Sequence, residues 1–197
     1  MENSRIFFQF LLKFIYLSEE EYSQLIKPYL EFRQFRKKHA ITVAGEVENY
    51  FNFITAGLVR KYFVKGTEEI NVQISTEGQA ISAFESFHSR MPSEYYIETI
   101  EPTSVISIGY DNLEKIFSST AKMERLGRLI ATFAVIIKDH WQMSLIKLTP
   151  RERFLNFVKK NPDLLQRVPQ KYLASFLNIQ PETFSRFKHL LKEKSEP

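Results

Sequence analysis

The sequence predicts a mixed α+β chain: an antiparallel sandwich or barrel of short strands with flanking helices, then a long helix, then a small all-α helix-turn-helix module. Three observations carry this. Runs rich in Val, Ile, Tyr, Phe and Thr from His39 to Ile108 are broken by turn signals at Ala44-Gly45-Glu46, Ala56-Gly57, Gly66-Thr67, Glu77-Gly78 and Glu101-Pro102-Thr103, with no long helix between them, the pattern of an antiparallel rather than a parallel sheet. Apolar positions beyond Lys122 then recur at alternating spacings of three and four. Charge is segregated as well: residues 151–197 hold ten Lys and Arg against five Asp and Glu, whereas residues 1–150 hold 17 against 18.

Taken in order, residues 6–33 read as helical, with a capping box at Ser18 and Glu21 followed by Leu25, Tyr29 and Phe32 at helical spacing. The apolar stretch from Ile6 to Leu17 is interrupted by Gln9 and Lys13 and runs into Glu19-Glu20-Glu21 with no small-residue cleavage site, which marks a core helix and not a signal peptide. The strand region comes next. From Asp111 the chain is helical again, and Met123, Leu126, Ile130, Phe133, Ile137, His140 and Ser144 form a heptad seam over about 120–147, so Met123, Leu126, Ile130, Phe133 and Ile137 are expected at a homodimer interface. The longest later apolar run, Leu129 to Ile137, falls short of the roughly 20 residues that span a bilayer, and a cytoplasmic protein without a membrane partner is expected. Thr149-Pro150-Arg151-Glu152 is a second capping box with proline at the first helical position, which divides the chain into 1–148 and 149–197. Phe154, Phe157 and Val158 give the next helix its apolar face, Asn161-Pro162 stops it, and Pro169 and Pro181 open two shorter helices.

Composition excludes several classes of function. An apolar share of 44% with 18 Phe and only 6 Gly rules out a disordered chain, and the absence of Cys removes disulfides, thiolate-held zinc, cysteine-held iron-sulfur clusters and a cysteine nucleophile. The four His residues, at positions 39, 88, 140 and 189, include no His-x-His pair for a cupin-type metal site. There is also no phosphate loop, Gly-x-Ser-x-Gly elbow, His-Glu-x-x-His or Rossmann glycine pattern. The expectation is a non-enzyme with no metal and no cofactor.

The segment from Gln170 to His189 is the most specific signal. Leu173, Leu177, Ile179, Phe184 and Phe187 are apolar where two crossed helices must pack on a third, Ala174 is small where the second helix approaches, and Asn178 stands at a turn that favours positive φ. The outward face after Pro181 then presents Glu182, Ser185, Arg186 and His189, with Gln180, Thr183 and Lys188 at its margins and Lys171 on the preceding helix. Such side chains read base edges or hold phosphates, so double-stranded DNA is the expected partner; the alternative is an effector-binding or interaction module whose helix-turn-helix docks protein.

Over nearly its whole length the chain resembles the Crp-Fnr superfamily of bacterial transcription regulators. Pro169 to Lys188 is similar to its helix-turn-helix, with Glu182-Thr183 and Arg186 where the family's recognition helix carries Glu-Thr and Arg, and Ala44-Gly45-Glu46 and Ala56-Gly57 around Tyr50, Phe51 and Phe53 are similar to the early strands of its β-roll. The resemblance implies a β-roll (jelly roll), a long dimerisation helix and a helix-turn-helix domain, with a homodimer, double-stranded DNA, RNA polymerase and an unknown small-molecule effector in the roll as partners. It places the roll's ligand pocket at Ser82, Ala83, Phe84, Ser93 and Glu94, with Arg90 nearby. Where cyclic-nucleotide-binding members carry Gly-Glu and Arg-Ser, this sequence has Ser82-Ala83 and Ser93-Glu94, so cyclic AMP is not the expected ligand. A β-hairpin wing after the recognition helix is not expected, because the sequence given ends at Lys194-Ser195-Glu196-Pro197.

Overall fold

A computed structural model describes residues 2–193. Helices α1 (Glu2–Leu11) and α2 (Glu19–Leu25) and a 3-10 turn (Lys27–Tyr29) lead into strands β1 (Glu31–Phe35), β2 (Ala40–Thr42), β3 (Tyr50–Ala56), β4 (Val59–Lys65), β5 (Glu68–Ser75) and β6 (Ala80–Ile81). Helix α3 (Phe84–Ser89) precedes β7 (Tyr96–Thr99) and β8 (Thr103–Gly109), and α4 (Tyr110–Ser119) and α5 (Ala121–Lys147) come after them. The remainder is helical: α6 (Pro150–Lys160), α7 (Leu164–Arg167), α8 (Gln170–Phe176) and α9 (Pro181–Glu193). The expected lack of a wing concerns residues 194–197, which lie outside the described residues.

The strands form two four-stranded sheets, ordered β1-β8-β3-β6 and β2-β7-β4-β5, with antiparallel pairings that fit a β-roll. Strand β3 is buried on both faces from Asn52 to Thr55. Phe53 packs with Phe7, Phe10, Ile106, Met123 and Leu126 beneath the helices, while its neighbour Ile54 packs with Val59, Ile81, Ile97 and Val105. The turn after β3 requires glycine: Gly57 has φ +99°, and a Cβ there would lie 2.5 Å from the Pro102 carbonyl oxygen. The first helical stretch ends earlier than its periodicity suggests. Pro28 sits in the 3-10 turn and residues 31–33 pair with β8, so Phe32 is an exposed strand residue and not part of a helical stripe.

Two compact units divide the chain, residues 1–63 with 73–134, and residues 64–72 with 135–197. The division falls inside α5 and not at Pro150, although Thr149 and Glu152 do form the expected capping box and begin a new helix. Two features group residues 135–147 with the C-terminal helices: Trp141 stacks on Phe176 at 4.3 Å, and Arg153 donates to the Leu145 and Leu148 carbonyls. The segment 64–72 belongs here through Ser175, whose hydroxyl accepts from the Asn71 N–H at 2.9 Å and donates to the Glu69 carbonyl at 3.2 Å.

Helix α5 changes environment along its length. Met123 and Leu126 are 0% and 1% exposed within the core of the first unit, so the first two positions of the expected seam are turned to their own domain. Ile130 is half-buried against the same core, and beyond it Phe133, Ile136, Ile137 and Met143 are exposed. By length and composition alone α5 could cross a membrane, a possibility that counting uninterrupted apolar runs overlooked because Lys138 and Asp139 break the run but not the helix.

Candidate nucleic-acid interface

In the C-terminal unit, α8 and α9 bury Leu173, Ala174, Leu177, Ile179 and Phe184. Phe154 of α6 meets Phe184 edge-on at 5.1 Å and Phe187 at 5.6 Å, supplying the third helix that a crossed pair packs against. Asn178 has φ +51°, the left-handed turn expected of it. Sequence reasoning missed Arg153. It is 7% exposed, and its guanidinium donates to the carbonyls of Leu177 (2.9 Å) and Asn178 (3.0 Å) in the turn and of Leu148 (2.6 Å) just beyond α5. A cation there satisfies helix-end carbonyls that would otherwise be buried unpaired. In a basic segment nothing local distinguishes an arginine that turns inward from one that faces solvent.

The residues expected to read DNA fall on the outer side of this scaffold. Glu182, Arg186 and His189 are exposed and, at spacings of four and three, share one face of α9. Gln180 and Lys171 are exposed, while Thr183, Ser185 and Lys188 are partly exposed. An arginine fork beside a carboxyl group on one helix face matches the paired acceptors of guanine and the amino group of cytosine.

The residues assigned to a roll pocket are engaged differently. The Ser82 carbonyl accepts from the Lys61 ammonium at 3.1 Å. The Ala83 N–H donates to the Glu48 carboxyl at 3.4 Å, and that buried carboxyl also accepts from the Thr42 hydroxyl at 2.6 Å and the Tyr50 N–H at 3.0 Å. An acidic group of the protein itself therefore lies where the resemblance expects an anionic ligand's surroundings. Glu48 was hidden in what reads as a polar turn. Ser93 is buried and bonded to the Tyr95 backbone, whereas Glu94 is exposed. Arg90, at φ 60°, donates to the Glu48 and Phe87 carbonyls and to Asn49, closing the end of α3. The Phe84 ring rests on His88 at 4.4 Å.

No family model and no curated relative matches the sequence. Solved structures do. The chain is similar to FixK2 from Bradyrhizobium japonicum, with a TM-score of 0.69 and 20% identity over 84% of this chain and 86% of that one. It is similar to the Thermus thermophilus catabolite activator protein, with a TM-score of 0.57 and 17% identity over 92% and 87%. It is also similar to the c-di-GMP responsive global regulator CLP of Xanthomonas campestris, with a TM-score of 0.64 and 13% identity over 90% and 93%. This chain has the fold of these proteins.

Proposed function

We propose that the chain is a DNA-binding transcription regulator of Crp-Fnr type, cytoplasmic and homodimeric, with residues 149–197 as its DNA-binding domain. The observation that carries this reading is the exposed face of α9 bearing Glu182, Arg186 and His189, held on a buried helix-turn-helix in a chain with the Crp-Fnr-like fold. Arg186 reads guanine, Glu182 accepts from a cytosine amino group, Gln180, Thr183, Ser185 and His189 complete the base-facing and margin contacts, and Lys171 and Lys188 hold phosphates. The exposed Phe133, Ile136 and Ile137 of α5 pair with a second copy, which places two recognition helices on a two-fold-symmetric site with half-site centres about 34–36 Å apart. RNA polymerase is a further partner of such a regulator. The effector of the roll is not cyclic AMP: Ser93 and Glu94 offer its phosphate no cation, the nearby Lys61 and Arg90 donate to backbone carbonyls of the protein, and the Glu48 carboxyl lies beside Ala83.

Selection of bound sequences from random duplexes tests the reading. A two-fold-symmetric motif should emerge, and Arg186→Ala should cost about 1–3 kcal/mol per half-site and relax one position in each. No enriched motif, or a motif indifferent to Arg186→Ala, would instead favour a helix-turn-helix that docks protein.

A further inference from the structure

An opening in the first unit shares Phe84 with the expected roll pocket but is otherwise lined by other residues. It is an apolar cavity of about 60 Å³, open to solvent, walled by α1, α4 and α5 and by strands β3 and β8, with α3 at its rim. Protein interiors are close-packed, so a void of this kind between elements rich in Phe, Leu and Ile needs a cause in the sequence. Small residues on α5 supply it. Gly127 and Ala131, one helical turn apart, both line it: Ala131 leaves space that a larger side chain would fill, and Gly127 admits the Phe117 ring. At Gly127 the Phe117 ring lies so close that a Cβ would sit 3.0 Å from it.

The chemistry of the wall is one-sided. Every lining side chain is apolar except the imidazole of His88, and none belongs to Lys, Arg, Asp or Glu. His88 stands at the rim beside Phe84, whose ring is exposed, and burial pushes its imidazole below its ordinary value despite the opposing charge of Glu114. At neutral pH it is uncharged and offers one donor and one acceptor. We propose that this cavity is a binding site for a small, uncharged, largely apolar molecule with one hydrogen-bonding group, whose body lies against Phe117, Gly127 and Ala131 and whose polar end meets His88. An anion would find no cation here and would lose its hydration without return. Calling the occupant an effector rests on the regulator reading above; the binding itself does not.

Indole, an apolar ring system with one N–H, is a suitable probe, with indole-3-acetate as its charged counterpart. Calorimetry on the full-length protein without DNA should give saturable one-to-one binding per chain for indole and binding at least about tenfold weaker for indole-3-acetate. In methyl spectra of the unmutated protein, the Ile116 and Ile130 signals should shift with indole while that of Ile146 stays put. Ala131→Leu should abolish binding while leaving the sedimentation coefficient unchanged. Absence of saturation up to the solubility of indole, equal binding of the two probes, or shifts centred elsewhere would overturn the proposal. So would a change of oligomeric state in Ala131→Leu, which would mean that a second copy covers the cavity. Because no DNA is present, a negative result leaves the regulator reading standing, and a failed selection from random duplexes leaves this site standing.

Discussion

Arg153 and Glu48 illustrate how single buried polar groups hold this chain together. Each collects several backbone groups that would otherwise be buried unpaired, the arginine from helix ends and a turn, the glutamate from β3 and the start of α3. Hydrogen bonds to a charged group contribute about 1.5–3 kcal/mol each, and loss of the donor leaves the acceptors desolvated. Arg153→Met should therefore destabilise the C-terminal unit by about 3 kcal/mol or more, and Arg153→Lys should recover little, because one ammonium cannot span carbonyls on both sides of the guanidinium. Trp141, the single tryptophan, stacks on Phe176 with an interplanar angle of 3° and gives the readout: its fluorescence transition in urea should move to lower concentration. An unchanged midpoint would show that water replaces the arginine at no cost.

At the level of elements, sequence legibility tracked the range of the interaction. The capping boxes Ser18-Glu21 and Thr149-Glu152 and the turn residue Asn178 were legible because each is set by residues within a few positions. Arg153 reaches residues 24 and 25 positions away, and Ala83 reaches Glu48 across 35, so no local window contains them. The first helical stretch ends before its periodicity does, because helical spacing persists across Pro28 into β1, where pairing with β8 decides the conformation. The heptad seam was legible as a pattern, but not the point at which α5 leaves its own core. That point separates two outcomes. Leu126→Ala should destabilise the roll by about 2–5 kcal/mol, whereas Phe133→Glu with Ile137→Glu, at positions 45% and 51% exposed, should leave the roll folded and give a monomer by sedimentation. The caps add a pH dependence. The Thr149 backbone N–H, and then its hydroxyl, hold the Glu152 carboxyl below its ordinary 4.5, as the Lys122 ammonium, and then the Ser18 N–H, do for Glu21. A lowered carboxyl stabilises the fold fully above its unfolded value and loses that contribution as pH falls through the folded one. Acid should accordingly fray α2 and α6 only below about pH 4.5, and Glu152→Gln should remove the α6 component, seen as loss of its pH dependence in amide exchange.

Across the whole molecule, the electrostatic division matters more than the net charge of +4. Residues 1–150 are close to neutral and residues 151–197 carry an excess of five positive charges, so phosphate attraction in the regulator reading is confined to one end of the chain. Confinement allows a quantitative expectation. Each phosphate neutralised on B-form DNA releases counterions and contributes about −0.9 to the slope of log K against log salt. Lys171 is exposed and Lys188 partly so, each present twice in a dimer. Replacing either with alanine should flatten the slope by about 1.8 and weaken selected and unselected duplexes alike. Arg186→Ala should differ in kind, because most of its loss should persist at high salt and fall only on the selected sequence. Filter binding at four or five salt concentrations, on both a selected and a scrambled duplex, separates the two behaviours. Parallel slopes for Lys171→Ala, Lys188→Ala and the unmutated protein would remove these lysines from the phosphate contacts. Equal losses of Arg186→Ala on both duplexes would return Arg186 to the non-specific charge of the segment.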